Sequence, residues 1–237
     1  MIHRATWIHW SGLLVLGFCV GIGDLPAQPA SLPATLSAGL TQVPLEAIPP
    51  NLRDSVRFVL EHPTMAVPGP SEIFRGRPAL YHWFVDHPEL ALATWRRLGA
   101  KCTEVTPVGP GRWRWRDGSG SEVYWMTVYA TPHVRVWYAQ GSARPGPLLP
   151  LLPVRAVAVL RFTDGRDYVG HPVIQHQARL YVQTDSKTAA LAMRLLGPSF
   201  PHLAQRGVEQ MEMFFSALVW YLDHHPELAA LAQNEAG

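Results

Sequence analysis

"VEQMEMFFSALVWYL" runs from Val208 to Leu222, and the reading of its apolar residues decides the fold. Val208, Met211, Phe215, Leu218 and Leu222 recur at steps of three and four, the period of one helical face, with Glu209, Glu212 and Ser216 between them. A helix with so rich a stripe lies against something apolar. From Gly99 onward the period drops from helical to two. "RWRWR" (112–116) alternates, "GSGS" (118–121) turns, and "EVYWMTVYA" (122–130), "HVRVWYAQG" (133–141), "VRAVAVLRFT" (154–163) and "PVIQHQARLYVQT" (172–184) are β-branched and aromatic runs. Thr131-Pro132 and "DGRD" (164–167) read as turns, and "KCTEVTPV" (101–108) as a weak further strand. A sheet with one buried face needs a cover, which the terminal helix supplies.

Before the strands, "NLRDSVRFVLEHP" (51–63) carries Val56, Val59 and Leu60 at helical spacing, and Pro63 stops it. "SEIFRGRPALYHWFVDHPELALATWRRLG" (71–99) gives two short helices, with Ser71 as cap of the first and Gly99 as the glycine closing the second. "PGPLLPLLP" (145–153) is too broken by proline for a central strand, so it packs on the body or touches something outside it. "KTAALAMRLLG" (187–197) is a helix capped by Asp185 or Ser186 and broken by Gly197-Pro198. The expectation is an α+β fold with N-terminal short helices, an antiparallel meander of five to six strands, and a long C-terminal helix packed on the sheet.

This order, over roughly residues 51 to 225, resembles the helix-grip architecture of the START and Bet v1-like superfamily, whose curved sheet wraps a long C-terminal helix. It departs from that pattern in the weak strand before the helices, which is missing or unreadable, and in the interruption at Gly197 to Pro201. The resemblance implies a cavity between sheet and helix that holds a lipid or other hydrophobic molecule. On it, the lining would come from Trp113, Trp125, His176, Ala178, Leu180, Met211, Phe215 and Leu218.

The chain of 237 residues is long enough to bury a core without staples, and its formal charge of +2 gives no electrostatic case for nucleic acid. "MIHRATWIHW" and the uncharged "SGLLVLGFCVGIG" (11–23) read as a signal peptide or N-terminal membrane anchor, residues 24–50 as a proline-rich linker or strap, and 51–237 as a single domain. The expected location is the periplasm or cell envelope. Cys19 and Cys102 are the only cysteines, so removal of the leader leaves Cys102 alone as a small buried residue rather than a nucleophile.

"WFVDHPELALA" (83–93) and "WYLDHHPELAALA" (220–232) look like a repeated site. Pro favours the first helical position, Asp or His can cap free amides, and Glu suits the positive end of a helix, so helix punctuation explains each residue. Adjacent Asp and His diverge on a helix and do not form a metal site. In "RWRWR", Trp113 and Trp115 face one way and Arg112, Arg114 and Arg116 the other, an amphipathic strand whose arginines can also meet anionic lipid headgroups. No histidine pair flanks a Glu, no nucleophile elbow, phosphate loop or dinucleotide fingerprint is present, and no cofactor is implied.

His176 shares a strand face with Ile174, Ala178, Leu180 and Val182 and therefore points inward. Three functions stay open: a carrier of an apolar molecule, an enzyme using His176 with a neighbouring Glu or Tyr on a hydrophobic substrate, and a structural envelope protein with a solid core. A paired His and carboxylate inside would favour the enzyme, and a core filled by Trp the structural protein.

Overall fold

The computed structural model describes residues 19–20, 43–144, 150–184, 199–226 and 228. Its first elements are β1 (Cys19–Val20), a 3-10 turn (Leu45–Ala47), α1 (Pro50–Glu61), β2 (Met65–Pro68) and β3 (Glu72–Arg75). Two helices follow, α2 (Pro78–Asp86) and α3 (Pro88–Arg97), and then β4 (Lys101–Cys102), β5 (Val105–Gly109) and β6 (Arg112–Arg116). The long strands are β7 (Glu122–Thr131), β8 (Val134–Ala143), β9 (Leu152–Arg166) and β10 (Pro172–Gln183), and α4 (Ser199–His224) closes the fold.

The main sheet has eight antiparallel strands in the order β2-β10-β9-β8-β7-β6-β5, with β3 beside β2 on the same edge of β10. It is the expected α+β meander with a terminal helix, and the strand that the sequence hides is present in two pieces. β2 and β3 are four residues each, too short to show a period of two. The second piece overturns Ser71 as a helix cap, because Glu72–Arg75 is strand and α2 begins at Pro78, with Arg77 making no side-chain cap bond. Gly99 does close α3, at φ 90°.

One turn and one loop of the expected fold are corrected. The β9–β10 turn lies at 167–171 rather than at "DGRD", since Asp164, Gly165 and Arg166 continue the ladder to Ile174, Val173 and Pro172. Leu152 and Pro153 open β9, a central strand, by pairing with Ala143 and Ser142 of β8. The proline is tolerated there because β10 pairs with β9 only as far as Arg155, so Pro153 has a strand on one side only. The helix expected over 187–197, and 145–149 of the apolar loop, lie outside the described residues.

Both faces of the sheet are covered. α4, α2 and α3 bury the concave face, which carries the larger core. On the convex face, Ile48 of the strap and Val56 and Val59 of α1 pack on Val128, Val136, Tyr138, Val157 and Val159. This two-sided burial explains why Ala156 to Leu160 form a continuous apolar run instead of alternating with polar residues. At the other end, β1 pairs with β4 and sets Cys19 opposite Cys102, a spacing that suits a disulfide. Cys102 is half-buried and disulfide-bonded, which replaces the expectation of a solitary buried thiol.

Candidate functional site

Where α2, α4 and the β3–β10 edge meet, a chain of polar side chains crosses the apolar interior. The Tyr81 hydroxyl lies 2.9 Å from His176 Nδ1, and His176 Nε2 lies 2.9 Å from Glu72 Oε2. The Ser216 hydroxyl donates to the same carboxylate at 3.1 and 3.0 Å. Burial pushes Glu72 up, but the hydrogen bond and charge of His176, with the bond from Ser216, outweigh it and hold the carboxyl below its usual range. A carboxylate only accepts, so Nε2 carries a proton toward Glu72, and the Tyr81 hydroxyl is the partner of Nδ1. Burial first, and then the charges of Glu212 and Glu72, push the Tyr81 phenol far above its ordinary value. Phe74, Phe162 and Phe215 pack around Tyr81 edge-on or tilted.

One turn earlier on α4, Glu212 is also buried. The strand edge explains its place. β3 pairs with His176 and β2 with Arg179, so Gln177 and Ala178 of β10 face the break at Gly69 to Ser71. Gly69 N–H donates to the Ala178 carbonyl, Gln177 Nε2 to the Gly69 carbonyl, and Ala178 N–H to Glu212 Oε1. Glu212 thus takes the ladder position that a continuous strand would fill. A Cβ on residue 69 would stand 2.5 Å from Glu212 Oε2, so only glycine leaves the carboxyl room. Oε2 is buried with no hydrogen-bond partner. Burial, against the Ala178 bond and reinforced by Glu72 and Glu209, raises this carboxyl to about 8, so it is mostly protonated at neutral pH.

The other half of the concave face is floored by small residues. Ala158 stands between Leu180 and Trp137, and Ala156 between Val182 and Ala139. Trp137, Ala139, Ala156 and Ala158 keep 8, 9, 6 and 6 % exposure, whereas Leu160, Ile174 and Ala178 are at 0 %. Solvent therefore still reaches Trp137, Ala139, Ala156 and Ala158 and is shut out from Leu160, Ile174 and Ala178. Trp137 Nε1 is buried there with no hydrogen-bond partner. The contacts of α4 with the sheet fall mainly on β2, β3 and β10, which is why that half is the sealed one.

Among the residues expected to line a pocket, Trp113, Trp125, Ala178, Leu180, Met211, Phe215 and Leu218 belong to one core, and His176 joins it through Phe74 and Tyr81. The structure spreads them over both halves. Trp113 stacks on Trp125 at 5.9 Å and donates Nε1 to Glu89 at 2.6 Å. His176, Ala178, Met211 and Phe215 sit in the sealed half. The reading missed Tyr81, Glu72, Glu212 and Trp137. One signal was available: at about 100° per residue Glu212 lies only about 40° around the helix from Val208, on the flank of the apolar stripe.

The His-Pro-Glu-Leu corners are helix punctuation of a different kind from amide capping. His87 has no side-chain cap bond to the start of α3; its Nδ1 binds the Trp83 carbonyl at 2.9 Å, and Pro88 opens α3. His224 Nδ1 does the same to Trp220 at 2.8 Å. Asp86 pairs with Arg135, and Asp223 with Arg77. The aspartates thus tie helices to the body. On β6, Trp113 and Trp115 are buried and Arg112 and Arg116 exposed, as the alternation implies.

No family model matches the chain, and no curated protein matches it. Among solved structures, a conserved protein from Geobacillus kaustophilus is similar at 13 % identity and a TM-score of 0.44, over 67 % of this chain and 97 % of that one. A hypothetical protein from Helicobacter pylori is similar at 10 % identity and 0.42, over 69 % and 93 %. The di-domain ARO/CYC BexL is similar at 15 % identity and 0.39, over 73 % of this chain and 54 % of that one, about half its length. These likenesses establish no family and carry no argument about activity.

Proposed function

We propose that this domain binds an apolar small molecule, a lipid or a compound of similar character, on the β8–β9 floor. The observation that supports it is Trp137 Nε1, a buried donor without a partner beside the partly solvent-accessible Ala139 and Ala158. An unsatisfied buried donor has a standing cost that a ligand carbonyl or carboxylate would relieve, and apolar sites characteristically carry a few such polar groups. Solvent extraction and mass spectrometry of the natively purified protein, with titration of a fluorescent fatty acid, test this. Uptake by the parent and its loss in Ala158→Trp with the fold retained is the expected result. A parent that carries no extractable lipid and takes up no probe overturns it and leaves the solid-core structural protein.

A second reading, an enzyme acting on that molecule, draws on the His–carboxylate pair. Tyr81, His176 and Glu72 form a proton path from the half-buried Glu72 into the core. Tyr81→Phe separates the two readings, because a carrier keeps its uptake and an enzyme loses turnover while still binding.

The apolar segment 11–23 supports export or anchoring. Residues 1–50 fused to a reporter that works only outside the cytoplasm test that part, and an inactive cytoplasmic reporter overturns it. No described helix is long and apolar enough to cross a membrane.

A further inference from the structure

We infer that the β9–β10 hairpin tip is a membrane-docking element that seats Tyr168 and Val169 in the interface of an anionic lipid bilayer. The surface is separate from the concave face, and the inference does not depend on the ligand-binding reading. β8 pairs with β9 only as far as Arg161, whereas β10 follows it to Arg166. Phe162 N–H still bonds the His133 carbonyl of the β7–β8 turn, so the last four residues of β9, from 163 to 166, carry the tip past that turn, with β3 beside β10 as far as Arg75. At about 3.4 Å per residue that is a projection of roughly 14 Å past the β7–β8 turn. At its end Tyr168 is 97 % and Val169 58 % exposed. An aromatic and a β-branched side chain thus stand side by side at the tip, largely exposed rather than packed on the body.

The tip is a built turn. The Asp167 carboxylate accepts from the N–H groups of Val169 and His171 at 2.9 Å each, and pairs with Arg75 at 2.8 Å and His171 at 3.3 Å. Gly170 takes the positive φ of 92° that closes it. The Asp167 side chain is itself almost fully covered, at 5 %, so the only carboxylate in the turn is enclosed by its donors. What faces outward with Tyr168 and Val169 is Arg166, which donates to the Gly170 carbonyl, with Arg75, paired to Asp167, and His171 half-exposed behind it. The next acidic group along β9, Asp164, turns to His82, and Asp223 of α4 turns to Arg77.

Size and chemistry select the occupant. Two side chains fall far short of the roughly 800 Å² that each partner contributes to a standard protein interface. Tyrosine at the level of the headgroups, an aliphatic neighbour reaching the acyl boundary, and arginine against anionic phosphate are the pattern of an interfacial contact.

The intact chain is sedimented with vesicles of phosphatidylcholine alone and of equal parts phosphatidylcholine and phosphatidylserine. The parent is expected to partition onto the anionic vesicles and to leave them in high salt. Tyr168→Asp combined with Val169→Asp should reduce partitioning by about tenfold, since binding scales with the apolar area inserted. Arg166→Gln should reduce it about fivefold, and only on anionic vesicles. Because the N-terminal apolar segment can hold the chain on a vesicle by itself, a second measurement reads the tip directly. Val169→Cys is labelled with an environment-sensitive thiol dye, Cys102 being engaged in a disulfide. A blue shift on anionic vesicles supports the assignment. A parent that stays in the supernatant, or a dye spectrum unchanged by anionic vesicles, overturns it.

Discussion

The two halves of the concave face are made of adjacent strands, yet they treat polar atoms in opposite ways. In the β10 half, Tyr81, His176, Glu72 and Ser216 form an unbroken hydrogen-bonded chain, and α4 and α2 close over it. In the β8–β9 half, alanines form the floor, solvent still reaches them, and the buried donor Trp137 Nε1 has no hydrogen-bond partner. Sealed polar chains of this sort rigidify a core and fix its register, because each member left alone in low dielectric is costly. An unsatisfied donor over a floor of small residues is what a site awaiting a ligand would show. The difference teaches that the conspicuous polar cluster and the floor proposed for a ligand need not coincide. Glu212 joins the two views: it belongs to the sealed half and patches a strand break, yet it keeps one oxygen unpaired.

The largest expected effect tests the sealed half. Phe215→Ala removes a ring that packs against Tyr81 and Phe214, and urea unfolding should show a loss of about 3–5 kcal/mol. A loss below about 1 kcal/mol would mean that the ring borders a void and that the two halves are not distinct.

pH separates two carboxyls of that half by sign. Glu212 has a folded value of about 8 against an ordinary 4.5. Its contribution is therefore fully present below about pH 4.5, falls as pH rises between the two values, and stays lost above about 8. Glu72 is held below 4.5, so its contribution is present above that value and lost as pH falls through the folded one. Relative to Glu212→Gln, the parent should lose a few kcal/mol between pH 5 and pH 9 in urea midpoints. A parallel pH course of parent and variant would show that Glu212 ionises as in water.

The comparison sharpens with one substitution made twice. Ala178→Phe, at 0 % exposure beneath Glu212, overpacks and should cost on the order of 1–3 kcal/mol or more. Ala158→Phe, on the floor, should cost about 1 kcal/mol or less and reduce probe uptake. Equal costs at the two positions would erase the distinction.

Trp137→Phe is the smallest change. Deleting an unpaired buried N–H should leave stability unchanged or raise it by up to about 1 kcal/mol, while weakening a ligand that accepts from it. Unfolding and fatty-acid titration of the same preparation read both.

His176 was legible from its strand: the alternation Ile174, His176, Ala178, Leu180 places it inward, and it is 1 % exposed. Its partners were not. Glu72 and Tyr81 stand 104 and 95 residues earlier, and Glu72 lies on a four-residue strand with no period to read. Ser216 and Glu212 were visible as interruptions of the apolar stripe. Nothing local says that such interruptions face a hydrogen-bond partner rather than water.

Amino-acid order by itself determined the elements and most of their faces: the helical stripe from Val208 to Leu222, the buried tryptophans of "RWRWR", the glycine end of α3 and the meander. These follow from sterics and from periods of 3.6 and two, which act over a few residues. Tertiary structure alone decided which strand edge is split, that α1 and the strap cover the convex face, that Cys19 stands opposite Cys102, and that Glu212 completes a ladder behind Gly69. Each is a pairing between distant segments. It is chosen because a buried polar group must find a partner and an apolar face a cover, and only the assembled chain offers them.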